Sequence, residues 1–261
     1  MIVIVIILLI LFVWLNKKEN YTSNSLPIDE EMKLNVIIPI RNREKDLYNI
    51  TSVLEQIFEK QNIDARYIII EQEEGKKFNK GKISNAAFLI SRKDNFSDNY
   101  LFNDVDSWPK KASVINYREK TSNSFIHPYG HKHSLGGFFM TDKSCFEKIN
   151  GYSNNYWGWG GEDVDLQNRA NAHIVFIDRT NFIDRGHKGI NDDITSHKTT
   201  FDKKLIDKNS SNQIYKKNKL ELYKKNPSSV NSDGLSTCKY NIVSQKNYKN
   251  NPKMKRILIS I

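Results

Sequence analysis

Three runs rich in β-branched and aromatic residues, Leu34–Ile40, Arg66–Glu71 and Tyr100–Asp104, recur at similar intervals, separated by segments with helix-like apolar spacing, Glu44–Phe58 and Lys80–Ile90. Strands alternating with helices in this way predict an α/β fold, a mostly parallel central sheet covered by helices. In such sheets ligands gather outside the carboxyl ends of the strands, where loops from neighbouring units converge. Polar residues stand at those ends here: Arg41-Asn42-Arg43 after the first run, Glu71-Gln72 closing the second, and Asp104-Val105-Asp106 closing the third. The expectation is one composite site. A chain of 261 residues holds one full-sized domain of this kind, starting near Leu34, with little left for a second.

Ahead of that domain, Ile2 to Leu15 is an unbroken apolar run. As a helix it would span roughly 21 Å against a hydrocarbon core of about 30 Å, and no small-residue cleavage pattern follows it. A single-pass membrane anchor over residues 1–15 is the expectation, joined by a polar linker over 16–33. Lys17 and Lys18 favour keeping the following side cytoplasmic, which opposes a lumenal, Golgi-like location in a eukaryotic host. The net charge of +10 attracts anions in general, and a diphosphate-bearing substrate, nucleic acid or an anionic membrane face all qualify. The lysines of 198–225 and 246–256 have little interleaved aromatic spacing of the sort that stacks bases, so they read as a solvated face and no nucleic-acid partner is expected. Residues 186–230 are polar and lysine-rich and read as containing mobile loops. Cys145 and Cys238 are too few for a disulfide framework or a zinc site; pairing with each other is one reading, and buried free thiols are the favoured one.

Transfer of a sugar from a nucleotide diphosphate needs positive charge on the leaving diphosphate, where negative charge grows as the bond breaks. Asp104-Val105-Asp106 suits a divalent cation: in an extended segment the two carboxylates share one side, and hard oxygen ligands suit Mg²⁺ or Mn²⁺. The competing reading is an Asp-rich turn ahead of Trp108-Pro109. Arg41 and Arg43 offer guanidinium forks for phosphate or nucleoside oxygens. Asn154–Asp165 packs indoles, glycines and acids into one short stretch. Indole faces suit sugar C–H groups, glycine lets backbone approach a ligand, and a carboxylate accepts a proton from an attacking hydroxyl. Alternatively Trp157 and Trp159 are core residues, and Glu162, Asp163 and Asp165 favour the positive end of a helix running to about Ala172.

The stretch Asn154–Asp165 resembles the NNYWGWGGEDDD signature of the β-1,4-galactosyltransferases, with Val164 at the second aspartate. Other segments match that family in order: Val36–Arg43 its first-strand motif, Ile70–Phe88 its EQ…FNRAKLLN segment, Phe102–Pro109 its metal motif, and Asp233-Gly234-Leu235 with Tyr240 its C-terminal DGL…Y strand. The resemblance runs from about residue 34 to 261 and implies a GT-A-like fold and an inverting, Mn²⁺-dependent transfer from a UDP-sugar to a glycan acceptor, forming a β-1,4-type linkage. It implies Asp163 as base, with Glu162 helping to hold the sugars. Arg41, Arg43, Phe78, Lys80, Asp104, Val105, Ser134 and Trp159 would serve the donor, and Trp159, Gly160, Gly161, Asp163 and His131 the acceptor. Asp106 and His187 would bind the metal, and Asp184 stands where many members have a methionine ligand, a harder donor that would admit Mg²⁺ more readily. Lys80 replaces an arginine and keeps its charge without its fork. Ser134 replaces a bulky tyrosine, so UDP-GalNAc joins UDP-galactose as a donor. Two rivals remain: a catalytically silent carbohydrate-binding homologue that lost turnover through Lys80, Val164 or Asp184, and a metal-dependent enzyme acting on nucleic acid.

Overall fold

The computed structural model describes residues 30–110, 114–184, 194–196, 208–224, 232–249 and 251–261. The chain runs β1 (Met32–Ile40), α1 (Glu44–Lys60), β2 (Ile63–Gln72), α2 (Lys80–Ser91), β3 (Asn99–Asn103), β4 (Ser107–Pro109), β5 (Ser124–Gly130), β6 (Phe138–Asp142) and α3 (Lys143–Lys148). It continues through α4 (Glu162–Ala172), β7 (Phe176–Asp178), β8 (Ile183–Asp184), β9 (Ile194–Ser196), α5 (Lys208–Lys224), β10 (Asn241–Tyr248) and β11 (Asn251–Ser260). The main sheet has the order β10-β11-β2-β1-β3-β6-β5-β7, with β8 also pairing with β5. It is parallel from β11 through β2 and β1 to β3, and turns antiparallel where β6 enters between β3 and β5. Each predicted run falls on a strand or helix, and β1 and β2 extend a few residues ahead of their apolar runs.

The sheet separates two hydrophobic clusters. Leu34, Val36, Ile38 and Ile40 alternate along β1 onto one face, where Leu47, Ile50, Leu54 and Ile57 of α1 meet them at helical spacing. Ile37, Ile68 and Ile70 point the other way, against Ile83, Ala86 and Ala87 of α2 and Leu166 and Ala170 of α4. Helices therefore cover both faces, as a sheet with parallel crossovers requires.

One expectation changes. Asp233–Leu235 is not a strand: a single 3₁₀ turn covers Leu235–Thr237 and the strand begins only at Asn241. Gly234 has a φ of 146°, and a β-carbon there would lie 2.0 Å from the Asn150 carbonyl oxygen, so the backbone packs against Asn150 instead of running on in an extended register. Within 186–230 the described part contains β9 and the helix α5. The apolar run 2–15 lies outside the described residues, and no helix among those residues is long and apolar enough to cross a membrane. Cys145 and Cys238 are both free, the first buried and the second half-buried, and desolvation pushes their thiols up to about 11 and about 12.

One buried network ties the segment leading into α4 to the C-terminal part of the chain. Arg169 donates Nε to Asp165 Oδ2 at 2.6 Å, one terminal nitrogen to Asp233 Oδ2 at 3.1 Å, and the other to the Asp233 carbonyl at 2.8 Å. Asp233 also accepts from Ser153 Oγ at 2.5 Å and from the Asn154 backbone at 2.8 Å. Removing one member of a buried ion pair leaves the others charged and unpaired, at about 3 to 5 kcal/mol. Arg169→Met is therefore expected to lose about that much stability in urea unfolding, whereas an unchanged midpoint would show that the network is not structural.

Candidate active site

Lys80 opens α2, whose N-cap Asn79 accepts from the Lys82 backbone at 2.9 Å and donates to the Asn154 carbonyl at 2.8 Å. From there the Lys80 ammonium lies 2.6 Å from Asp104 Oδ1 and 2.8 Å from Asp163 Oδ1. The acid after β3 and the acid at the start of α4 thus meet on one cation. Desolvation pulls the Lys80 pKa down, but the charges of Asp104 and Asp163 outweigh it and hold the ammonium well above its ordinary value. A small cavity lined by Pro39, Asn103, Gly137 and Tyr152 adjoins this ion pair.

The Asp-rich stretch is a turn. β3 ends at Asn103, whose side chain donates to the carbonyls of Asp104 and Ser107, and the Ser107 backbone donates back to the Asp104 carbonyl at 3.0 Å. Asp104 and Asp106 therefore do not share one side of an extended segment: Asp104 faces Lys80, while Asp106 Oδ2 lies 3.4 Å from Arg43. Val105 between them is buried in the core cluster of α1, because the turn directs its apolar side chain inward. Arg43 is anchored by Asp46 at 2.7 Å, and Arg41 sits over the Phe78 ring at 5.3 Å while donating to the Lys76 carbonyl. Arg41, Phe78, Arg43 and Asp106 thereby flank the Lys80 centre from the β1 side.

The loop between β5 and β6 closes the other side. The Asp104 backbone donates to the Gly137 carbonyl at 2.8 Å, Gly137 N–H donates to Asp104 Oδ2 at 3.1 Å, and the Leu135 backbone donates to the Asp163 carbonyl at 3.1 Å. A β-carbon on Gly136 would lie 2.7 Å from Asp163 Oδ2, so only glycine lets the loop come this close. Ser134 is half-buried beside Gly136, and His131 is exposed with its ring 5.8 Å from that of His133.

The tryptophan-glycine stretch crosses the mouth of the cleft. The Gly158 backbone donates to the Phe78 carbonyl at 2.7 Å, and Asn218 of α5 donates to the Gly160 carbonyl at 2.8 Å and the Trp159 carbonyl at 3.3 Å. Gly161 has a φ of 99° and abuts the Tyr156 ring, turning the chain into α4. Trp159 is 64% exposed, so it is no core residue. The helix reading of the acids holds as well, because α4 begins at Glu162 and its first turn carries Glu162, Asp163 and Asp165. Their environments differ. Asp165 is consumed by Arg169, Asp163 faces Lys80, and Glu162 is desolvated beside Asp163, which together push its carboxyl up to about 8. Its Oε2 is buried without a hydrogen-bond partner among the described residues, and burial beside Asp163 favours the protonated form of this carboxyl.

Asp184 ends β8 in register with Gly130, whose neighbours Gly136 and Gly137 contact Asp163 and Asp104. His187 lies outside the described residues. Among the described residues no three His, Cys, Asp or Glu side chains form a metal cluster, but the carboxylates of Asp104, Asp106 and Asp184 are hard oxygen donors of the type Mn²⁺ or Mg²⁺ takes. Sequence reasoning missed Asn79, Asn218 and Arg169. Polar residues in helical segments carry no signal of the backbone groups they reach across the fold.

The chain matches the profile described as the N-terminal region of glycosyl transferase group 7 over residues 16–118, and that described as the N-terminal domain of galactosyltransferase over residues 118–189. β-1,4-Galactosyltransferase 4 of Cricetulus griseus is 31% identical over 216 residues, covering 80% of this chain and 58% of the relative. A β-1,4-N-acetylglucosaminyl-transferase of Lymnaea stagnalis is 35% identical over 147 residues, 53% of this chain and 30% of that protein. The chain thus spans little more than half the length of the first of these relatives and less than a third of the second. Among solved structures, the catalytic domain of Drosophila β-1,4-galactosyltransferase 7 with xylobiose superposes with a TM-score of 0.71 at 20% identity, covering 88% of this chain and 94% of that one. A mutant form of the same Drosophila enzyme, in complex with manganese, UDP-Gal and xylobiose, gives a TM-score of 0.70 at 20% identity over the same shares of the two chains. Matching profiles, relatives and fold agree that the chain belongs to glycosyltransferase group 7, the family of the β-1,4-galactosyltransferases, and has their GT-A-type fold.

Proposed function

We propose that the protein is an inverting, metal-dependent hexosyltransferase that moves galactose or N-acetylgalactosamine from a UDP-sugar to a saccharide acceptor, forming a β-1,4-type linkage. The observation that carries this reading is the meeting of Asp104 and Asp163 on Lys80, which sets a strand-end acid and a helix-start acid across one cleft under the exposed Trp159. In the reaction the acceptor hydroxyl attacks the anomeric carbon and its proton passes to Asp163. The bond from that carbon to the β-phosphate oxygen breaks, and its electron pair leaves with UDP. The incoming hydroxyl takes the place of Lys80 on Asp163, and the ammonium stays beside Asp104 on the diphosphate side. Glu162 donates its proton in a hydrogen bond to the acceptor sugar, and Trp159 offers it an apolar face. Arg41 with Phe78 suits the base and ribose, and Arg43 the phosphates. A divalent cation held by Asp106, Asp184 and His187 would neutralise the diphosphate when bound. The complex of the related Drosophila enzyme with manganese and UDP-Gal supports this assignment, as does the likeness of the chain to galactosyltransferases.

The silent carbohydrate-binding reading has one observation in its favour, the direct ion pair of Lys80 with Asp163, which occupies the base. Asp163→Asn separates the two. Transfer and UDP release are expected to fall about 10²- to 10⁴-fold with UDP binding retained, and a wild-type protein that binds sugars without releasing UDP would establish the silent reading instead.

Donor choice turns on Ser134. Its small side chain beside Gly136 leaves room for an N-acetyl group, and the Lymnaea relative is named for transfer of an N-acetylated sugar. In a panel of UDP-sugars, UDP-GalNAc is expected to turn over faster than UDP-galactose, and Ser134→Tyr to reverse the order. Equal or better turnover of UDP-galactose by the wild type contradicts this. For the cation, chelation is expected to stop transfer and either Mn²⁺ or Mg²⁺ to restore it. Asp184→Ala should lose Mg²⁺-supported activity more than Mn²⁺-supported activity, because a hard carboxylate favours the harder ion. Unchanged metal dependence in that variant removes Asp184 from the site.

A further inference from the structure

His127 of β5 is fully buried behind the loop that braces the two acids. One ring nitrogen, Nε2, lies 2.9 Å from the Gly136 carbonyl, and the other, Nδ1, lies 3.0 Å from Arg179 Nε. A guanidinium Nε only donates, so Nδ1 accepts and Nε2 carries the proton that Gly136 receives. Burial pushes the imidazole down to about 4, in keeping with a neutral ring. Arg179 follows β7 and reaches further: one terminal nitrogen donates to Gln167 Oε1 at 2.5 Å and to the Ser134 carbonyl at 3.3 Å, while the guanidinium lies over the Phe182 ring at 5.5 Å. Gln167 belongs to α4, the helix that begins with Glu162 and Asp163. A single side chain therefore joins β5, the Ser134–Gly137 loop and the helix bearing the base.

Among the described residues the polar atoms it contacts are neutral, and desolvation lowers its pKa. A partly buried cation on neutral acceptors adds little stability by charge alone. Its fixed planar fork, in contrast, sets several distances at once. The loop it holds carries the Leu135 bond to Asp163, the Gly137 bonds to Asp104, and the Gly136 contact with the Asp163 carboxylate.

We propose that His127 and Arg179 are a positioning pair, which sets the placement of Asp163 relative to Asp104 through the Ser134–Gly137 loop without touching substrate. The kinetic part of this inference rests on the glycosyl-transfer reading; the structural part does not.

Three variants of the full chain test it. His127→Phe keeps a ring against Phe182 but loses both hydrogen bonds, His127→Gln restores one donor and one acceptor, and Arg179→Lys keeps the charge without the fork. His127→Phe and Arg179→Lys are expected to lower kcat about 10- to 100-fold with KM for the UDP-sugar within about 3-fold. The Leu135 and Gly137 amides should exchange with deuterium faster in both, and His127→Gln should recover most of kcat and of the protection. Wild-type kcat and wild-type amide protection in both of the first two variants would overturn the proposal, as would a His127→Gln protein no better than His127→Phe. If His127→Phe fails to fold, the contrast between Arg179→Lys and His127→Gln decides the matter in the same way. Should the wild type transfer no sugar at all, the glycosyl-transfer reading falls, and amide exchange alone decides whether the pair holds the loop.

Discussion

The ammonium of Lys80 is the point on which the cleft closes. Two elements distant in sequence deliver carboxylates to it at the start of α2: Asp104 after β3 and Asp163 at the start of α4. Lysine is the wrong sign for that position on local grounds, because a helix N-terminus carries partial positive charge and α2 has no acid in its first turn. The Asn79 cap satisfies the helix, and two carboxylates rather than the helix stabilise the lysine. α4 poses the opposite problem. Its first turn has the favoured sign but holds Glu162, Asp163 and Asp165 in close succession, and they repel. The fold resolves this by giving each a different environment: Arg169 takes Asp165, Lys80 takes Asp163, and Glu162 is desolvated, which favours its protonated form. Neighbouring acids made unlike in this way can divide roles as base, hydrogen-bond donor and structural anchor.

Such an arrangement tolerates little slack, which explains why glycines border it. Gly136 lies against the Asp163 carboxylate with no room for a β-carbon, and Gly161 makes the turn into α4 against Tyr156. Backbone packed this closely cannot brace itself by side-chain interdigitation, so its support comes from polar residues behind it. His127 and Arg179 serve the Ser134–Gly137 loop, Asn218 serves the Trp159–Gly160 turn, and Asn79 and Asn85 hold the Tyr152–Asn154 segment to α2.

The difference between these two layers is also the difference between what the sequence discloses and what it hides. The strands and helices of the first half are legible because Leu34, Val36, Ile38 and Ile40 alternate and Leu47, Ile50 and Leu54 recur at helical spacing, each pattern being local. The site acids are legible because they cluster within a few residues of a strand end or a helix start. The Asp104–Ser107 turn is legible only as one of two readings, since the same letters suit an extended strand, and the choice is made by Asn103 bonding across the turn. Asn218, Arg169 and Arg179 are invisible for a stronger reason. The contacts by which they reach across the fold span 58, 64 and 52 positions, and a polar residue in a helix or loop carries no local trace of such a contact.

Net charge, finally, misdescribes this cleft. The whole chain is basic by +10, yet Asp104, Asp106, Glu162 and Asp163 converge on one place, where Lys80 and Arg43 reach them. Under the proposed function, a nucleotide diphosphate entering there would meet carboxylates at close range, where desolvated charges act far more strongly than a distant screened surface excess. Local balance then requires either that acids be neutralised or that cationic charge accompany the phosphates. The raised pKa of Glu162 works toward the first, and the oxygen-rich set of Asp106 and Asp184 is suited to the second. The surface lysines can steer an anion toward the protein, but the chemistry at the cleft is governed by its acids.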